Sequence, residues 1–287
     1  MGYLHIDNLY KSQEILAMKE CYALEKVHGT SAHVRFDGKQ VHFFSGGEKH
    51  ETFKSIFNEE FLQEKFKEKV ETECVIFGEA YGGKCQGMSK TYGDKLKFVA
   101  FDVKIGECWL SVPQALDFVL SMGLEFVDFE RVQASVEAVD AERDKPSAQA
   151  IRNGIVDDPK LREGVVLRPI FELTLNNGKR LIAKHKRPEF SERASIPEIY
   201  PSKRVLLMKA EDIAIEWVTP MRLTHVLDKL EGEKDMTLTG KVIKAMIEDV
   251  TREAYGEIAD NEIVHKAIGK RAAIIYKERI SKIAEHG

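Results

Sequence analysis

The segment Glu25-Lys26-Val27-His28-Gly29-Thr30 puts a lysine at the end of an alternating strand, with a glycine three residues on. Glycine at that spacing lets the backbone turn tightly and pass close to a ligand. A lysine held against such a turn can act as a nucleophile where burial or neighbouring cations favour a neutral amine. Phe77-Gly78-Glu79 ends an apolar strand in a carboxylate, and period-two alternation puts Val75, Phe77 and Glu79 on one face. A carboxylate at the open end of a buried strand suits a ribose hydroxyl or a metal ion. Phe98 to Asp102 is an aromatic strand ending in an acid, and Glu163-Gly164 opens the apolar run Val165-Val166-Leu167-Arg168. Lys184 and Lys186 lie two apart and so share a strand face. Two cations on one face fit an exposed surface or an anion, and phosphates would suit them.

The nucleotide-binding devices most easily read from sequence are absent. The chain has no GxxxxGK[ST] loop, no GxGxxG, no HExxH and no zinc-type Cys/His spacing. Taken together and in order, the five segments resemble instead the covalent nucleotidyltransferase superfamily of polynucleotide ligases and mRNA-capping enzymes. The KxHG form with Thr30 behind it is similar to the RNA ligase 2 family of phage-type, nick-sealing enzymes. The resemblance spans Glu25 to Lys186.

The resemblance implies an α+β fold, in which a nucleotidyltransferase domain on an antiparallel, ATP-grasp-like sheet (residues 1–201) precedes a small all-α domain (202–287). It implies that Lys26 is the AMP-accepting nucleophile, with Glu25, His28 and Gly29 around the nucleotide. Glu79 would contact the ribose, Phe101 would stack on adenine, Glu163 would serve the metal, and Lys184 and Lys186 would act catalytically on the phosphates. The cofactors implied are ATP and Mg²⁺, with Mn²⁺ as the alternative metal. The reaction implied joins RNA 3′-OH and 5′-phosphate ends through lysyl-AMP and 5′-adenylylated RNA, and nicked duplex is the expected partner. ATP-dependent DNA ligases and capping enzymes carry the same motifs but usually append a β-barrel where this chain turns helical. A non-catalytic nucleic-acid-binding protein on the same fold is the alternative of another class. Lys26, both motif carboxylates and both motif lysines speak against it. One departure stands out. The family usually carries an arginine on the strand after the nucleophile, whereas this chain reads Phe43-Phe44-Ser45-Gly46-Gly47-Glu48-Lys49. Arg35 and Lys49 are the candidate substitutes.

The elements that must hold these residues are legible in outline. Ala32, Val34 and Phe36 alternate, Asp37-Gly38 follows, and Val41 to Phe44 resumes the pattern, which predicts a hairpin. Glu73 to Glu79, Leu96 to Ile105, Gly164 to Arg168 and Arg180 to Lys186 read as strands, the last two flanking a turn at Asn176-Asn177-Gly178. Phe57, Phe61, Leu62 and Phe66 fall at helical spacing. Another helix begins near Ser111, with Pro113 in its first turn and Gly123 beyond its end. After about Pro201 the chain turns helical. Thr219 and Pro220 open one stripe (Leu223, Val226, Leu227, Leu230). Val242, Ile243, Met246, Ile247 and Val250 form the next, and Ile263, Val264, Ala267 and Ile268 begin the last.

Composition bounds the rest. The 287 residues are 43% hydrophobic and 31% charged, the balance of a packed globular chain. No apolar run approaches the ~20 residues of a membrane helix. No basic-then-apolar leader opens the sequence, and Cys21, Cys74, Cys85 and Cys108 form no CxxC pair. A reducing, cytoplasmic setting is expected, or the host cytoplasm for a phage protein. The net charge of −4 argues mildly against nucleic acid, but Arg152 to Lys209 holds thirteen Lys and Arg against seven Asp and Glu. That stretch is a candidate phosphate-facing patch.

Overall fold

The computed structural model describes residues 2–175, 178–191, 210–232 and 234–286. The chain divides into two compact units, Met1–Arg187 and Pro188–Gly287. The boundary expected at residues 201 and 202, and the turn residues Asn176 and Asn177, lie outside the described residues.

In chain order the first unit begins with β1 (Glu20–Lys26), β2 (Thr30–Phe36), β3 (Val41–Ser45), α1 (His50–Lys54), α2 (Glu59–Lys69) and β4 (Cys74–Tyr81). It continues through α3 (Ser89–Tyr92), β5 (Lys97–Ile105), β6 (Cys108–Trp109), α4 (Val112–Ser121) and β7 (Phe129–Gln133). It closes with α5 (Val136–Arg143), α6 (Ala148–Arg152), β8 (Gly164–Pro169) and β9 (Ala183–Lys186). The strands make two sheets, ordered β7-β1-β8-β9 and β3-β2-β4-β5-β6, and every ladder is antiparallel. The expected α+β class holds, with two sheets in place of one.

The hairpin forms where alternation predicts it. Asp37 Oδ1 accepts from the backbone N–H groups of Lys39 and Gln40 at 2.9 and 2.8 Å, and Gly38 takes a φ of +94°. One face of the larger sheet, with Ala32, Val34, Phe36 and Ile76, is buried beneath Leu62 and Phe66 of α2 and Val119 of α4. Phe36 and Phe66 stack at 5.4 Å. Asn58 caps α2 by accepting from Phe61 N–H. The helical stripe is narrower than its sequence suggests. Phe57 precedes the helix and packs on Phe43, while Phe61 is 41% exposed. The start of α4 is as read: Gln114 Oε1 accepts from the Ser111 N–H and hydroxyl at 3.1 and 2.8 Å. β9 is shorter than the expected Arg180–Lys186 strand: it begins at Ala183, and Arg180 makes an isolated antiparallel bridge with Thr174.

The second unit has its own core. It comprises α7 (Ala210–Trp217), α8 (Pro220–Asp228), α9 (Thr239–Glu253) and α10 (Glu262–His286). Thr219 caps α8 by accepting from Arg222 N–H, with Pro220 in the first turn. Leu223, Val226, Leu227, Val242, Met246, Val250, Val264 and Ile268 meet around Trp217 and Tyr276. Ile263 faces solvent instead, because the inward stripe of α10 begins one residue later. A buried Arg222–Asp249 pair at 2.5 Å ties α8 to α9. No helix among the described residues is long and apolar enough to cross a membrane.

Candidate active site

Lys26 ends β1, Gly164 begins β8 and Lys186 ends β9, and the three are paired in one row across the sheet. Glu163, the residue before Gly164, therefore lies between two lysines. Lys26 Nζ and Lys186 Nζ each approach a different oxygen of its carboxylate at 2.9 Å, and His28 Nδ1 comes within 3.3 Å. Gly164 permits this row. A Cβ there would sit 2.2 Å from the His185 carbonyl oxygen and 2.7 Å from the Lys186 Cα. Burial alone would raise the Glu163 carboxyl, but Lys186, then Lys26 and His28, outweigh it and hold the group well below the usual carboxylate range.

The second sheet supplies the facing wall. A Cβ on Gly29 would fall 2.3 Å from the Ala80 carbonyl oxygen and 2.9 Å from Glu79 Cγ, so only glycine lets the turn after the lysine pack onto β4. Gly29 N–H donates to the Glu79 carboxylate. The His28 N–H donates to the Tyr92 hydroxyl at 3.1 Å, which fixes the turn from the other side. Burial pushes Glu79 up to about 7, with Glu163 adding repulsion and Lys26, Gly29 and Lys186 opposing it.

Phe101 reaches this wall through an irregularity. The β4–β5 ladder pairs Phe77 with Asp102 but Gly78 with Ala100, so Phe101 is the extra residue of a bulge. Strict alternation would put Phe101 and Asp102 on opposite faces. Here the Tyr3 ring touches both Phe77 and Phe101, at 5.0 and 4.9 Å, while its hydroxyl donates to Asp102 at 2.6 Å. Phe101 therefore shares the face of Phe77 and Glu79. Asp102 is fully buried and joins the two sheets. Arg168 of β8 donates to it at 2.9 Å and Arg180 at 2.6 Å. Arg180 also lies 3.9 Å from the centre of the Trp109 ring.

Not every expected residue converges. Lys26, His28, Gly29, Glu79, Glu163 and Lys186 meet, and Lys184 shares its strand face with Lys186. The Glu25 side chain points to the opposite face of β1. There it accepts from the Ser147 hydroxyl at 2.5 Å and from the Gln149 N–H at 3.2 Å. Its burial raises its pKa, which Ser147 and Arg162 partly oppose. Arg35 is no substitute for the missing arginine, since it pairs with Glu73 at 2.5 Å at the far end of β2. Sequence reading missed Tyr92, Ser147 and Arg162. The last is buried against Glu142 at 3.0 Å and so anchors the segment that leads into Glu163. Among the described residues, no group of three or more His, Cys, Asp or Glu side chains is placed to hold a metal alone.

Comparison with known proteins gives this arrangement a context. The RNA ligase family model matches residues 19–186. The fold is similar to a point mutant of Naegleria gruberi RNA ligase with AMP and Mn, at a TM-score of 0.51 and 14% identity over 66% of this chain and 57% of that one. A second Naegleria gruberi mutant, with ATP and Mn, matches at a TM-score of 0.51 and 13% identity over the same shares. A third, also with ATP and Mn, gives 0.51 and 15%. The match thus takes in little more than half the length of those proteins. A search of curated proteins finds no match. The family match runs from the strand that carries Lys26 to the strand that carries Lys186, and the chain belongs to the RNA ligase family.

Proposed function

We propose that this chain is an ATP-dependent RNA ligase that carries AMP on Lys26 and uses it to join a 3′-OH to a 5′-phosphate end. The observation that carries the reading is the convergence of Lys26, His28 and Lys186 on Glu163, opposite Glu79. In the first step the Lys26 amine attacks the α-phosphorus of ATP, a P–N bond forms, and pyrophosphate leaves. A 5′-phosphate oxygen of RNA then takes the AMP and restores the amine. Finally the 3′-OH oxygen attacks the 5′-phosphorus, and AMP departs.

An amine attacks only when unprotonated and free of its ion pair. Lys26 must therefore leave Glu163 when the nucleotide enters. Lys186, with Lys184 on the same face, would offset charge growing on the phosphates. Phe101, brought to this face by its bulge, would stack on adenine, and Glu79 would accept from a ribose hydroxyl. Glu163 would serve Mg²⁺, which commonly binds through one or two carboxylates plus substrate phosphates. Such an ion neutralises phosphate charge when bound. Mn²⁺ takes similar oxygen ligands, and the related Naegleria gruberi structures were solved with it.

Label from the α-phosphate of ATP should enter the protein, resist denaturation, and be released by acid as a phosphoramidate is. Lys26→Ala should take up none. Equal labelling of the variant would overturn the assignment.

A further inference from the structure

The aromatic face that carries Phe77 continues past Glu79 to the other edge of the sheet. Phe44 of β3 lies opposite His33 of β2, and His33 lies opposite Phe77 of β4. The Phe44 and His33 rings stack at 4.9 Å with 22° between their planes, and His33 meets Phe77 at 5.9 Å. His33 and Phe77 are buried, but Phe44 is 46% exposed at the outer end of the row. Strand spacing of ~4.8 Å and a rise of ~3.3 Å per residue put the Phe44 and Glu79 positions on the order of 12 Å apart on one face. The chain leaving β3 is tied to the start of β2, with Gly46 N–H donating to the Ser31 carbonyl at 2.9 Å.

The row itself is aromatic and not cationic. Burial pushes His33 down to about 4, so its imidazole is neutral at pH 7. Arg35, the cation on the same face of β2, is held by Glu73. A flat, half-exposed aromatic ring backed by a second stacked ring suits the π-face of a nucleobase.

Its position selects which base. The strand order places Phe101 on one side of Glu79 and Phe44 on the other. Phosphoryl transfer sets attacking and leaving oxygens roughly in line. If adenine leaves along the Phe101 side, the attacking hydroxyl comes from the Phe44 side. We infer that Phe44, stacked on His33, binds the terminal nucleobase of the 3′-OH RNA strand. This inference rests on the ligase reading above.

Its test uses the full chain and pre-adenylylated nicked RNA. Phe44→Ala should take AMP onto Lys26 as the wild type does, yet seal with a kcat/KM lower by at least about fivefold, the scale of one lost base–aromatic stack. Phe44→Trp should seal normally. Removing the terminal 3′-OH base should cost the wild type the same factor and Phe44→Ala nothing more. Removing the 5′-phosphate base should cost both proteins alike. The inference falls if Phe44→Ala seals like the wild type, if the two losses multiply, or if the dependence follows the 5′ base. A 2-aminopurine at the 3′-OH terminus reports stacking without catalysis. Wild type should quench it and Phe44→Ala should not, so failure of the ligase reading and failure of this site are separable.

Discussion

The charge state of Glu79 should change near neutral pH. Its carboxyl is pushed from 4.5 to about 7, so the folded protein holds a proton there that the unfolded chain gives up at lower pH. Folding stability therefore falls as pH rises through that window, and the cost is complete above it. Glu79→Gln should raise the melting temperature at pH 8 and leave it nearly unchanged at pH 4. Equal shifts at both values would show that the carboxylate is not the cause. Lys186 makes the complementary case. Lys186→Ala removes a preorganised cation beside Glu163, and AMP transfer to Lys26 should slow at least ~10²-fold in single-turnover labelling. A loss under tenfold would move Lys186 out of the phosphate site. These residues were legible because each sits in a short motif with its own spacing. Tyr92, Ser147 and Arg162 were not, because their partners His28, Glu25 and Glu142 lie 20 to 122 residues away.

At the level of elements, β1 is held from both faces. Its Lys26 end faces Glu163, while Glu25 is bound by Ser147, which also accepts from the Ala150 N–H to cap α6. Ser147→Ala would leave a buried carboxylate short of a donor and a helix short of a cap. It should lower stability by ~1–3 kcal/mol in chemical denaturation. If the row of Lys26, Gly164 and Lys186 is set by β1 alone, labelling by the folded variant should slow as well. The strands themselves were predictable from alternation and the Asp37-Gly38 turn. The bulge at Phe101 was not, since nothing in Phe98-Val99-Ala100-Phe101-Asp102 marks where the ladder slips. Only the competing demands of Tyr3, Arg168 and Arg180 on Asp102 show why it does. The stripe of α10 misled by one position for a similar reason, since Ile263 and Val264 are equally apolar and packing alone chooses between them.

At the scale of the whole molecule, the proposed nucleotide site and the helical unit belong to different parts of the chain. Every residue of the proposed site precedes Pro188, and each unit has its own core. A protein ending at Arg187 should fold and accept AMP on Lys26. It should seal nicked RNA poorly if α7 to α10 hold the polynucleotide, with Lys241, Lys244, Lys266, Lys270 and Arg271 reaching phosphates. RNA binding by the full chain should then weaken with salt, since phosphate contacts release counterions. Normal sealing without the helices would remove that role. The switch from strand to helix was plain in the sequence because the apolar period changes from two to near four.

The pairing of Lys26 with Glu163, 137 residues away, also has a consequence in time. During synthesis at ~5–20 residues per second, roughly ten to thirty seconds separate the appearance of Lys26 from that of Lys186. Until β8 docks, Lys26 lacks its anion Glu163, and until β9 docks the proposed site lacks its second cation, Lys186. Contacts this distant in sequence also make refolding slow. ATP should leave the early phases of refolding untouched and act only on the last, when the row closes.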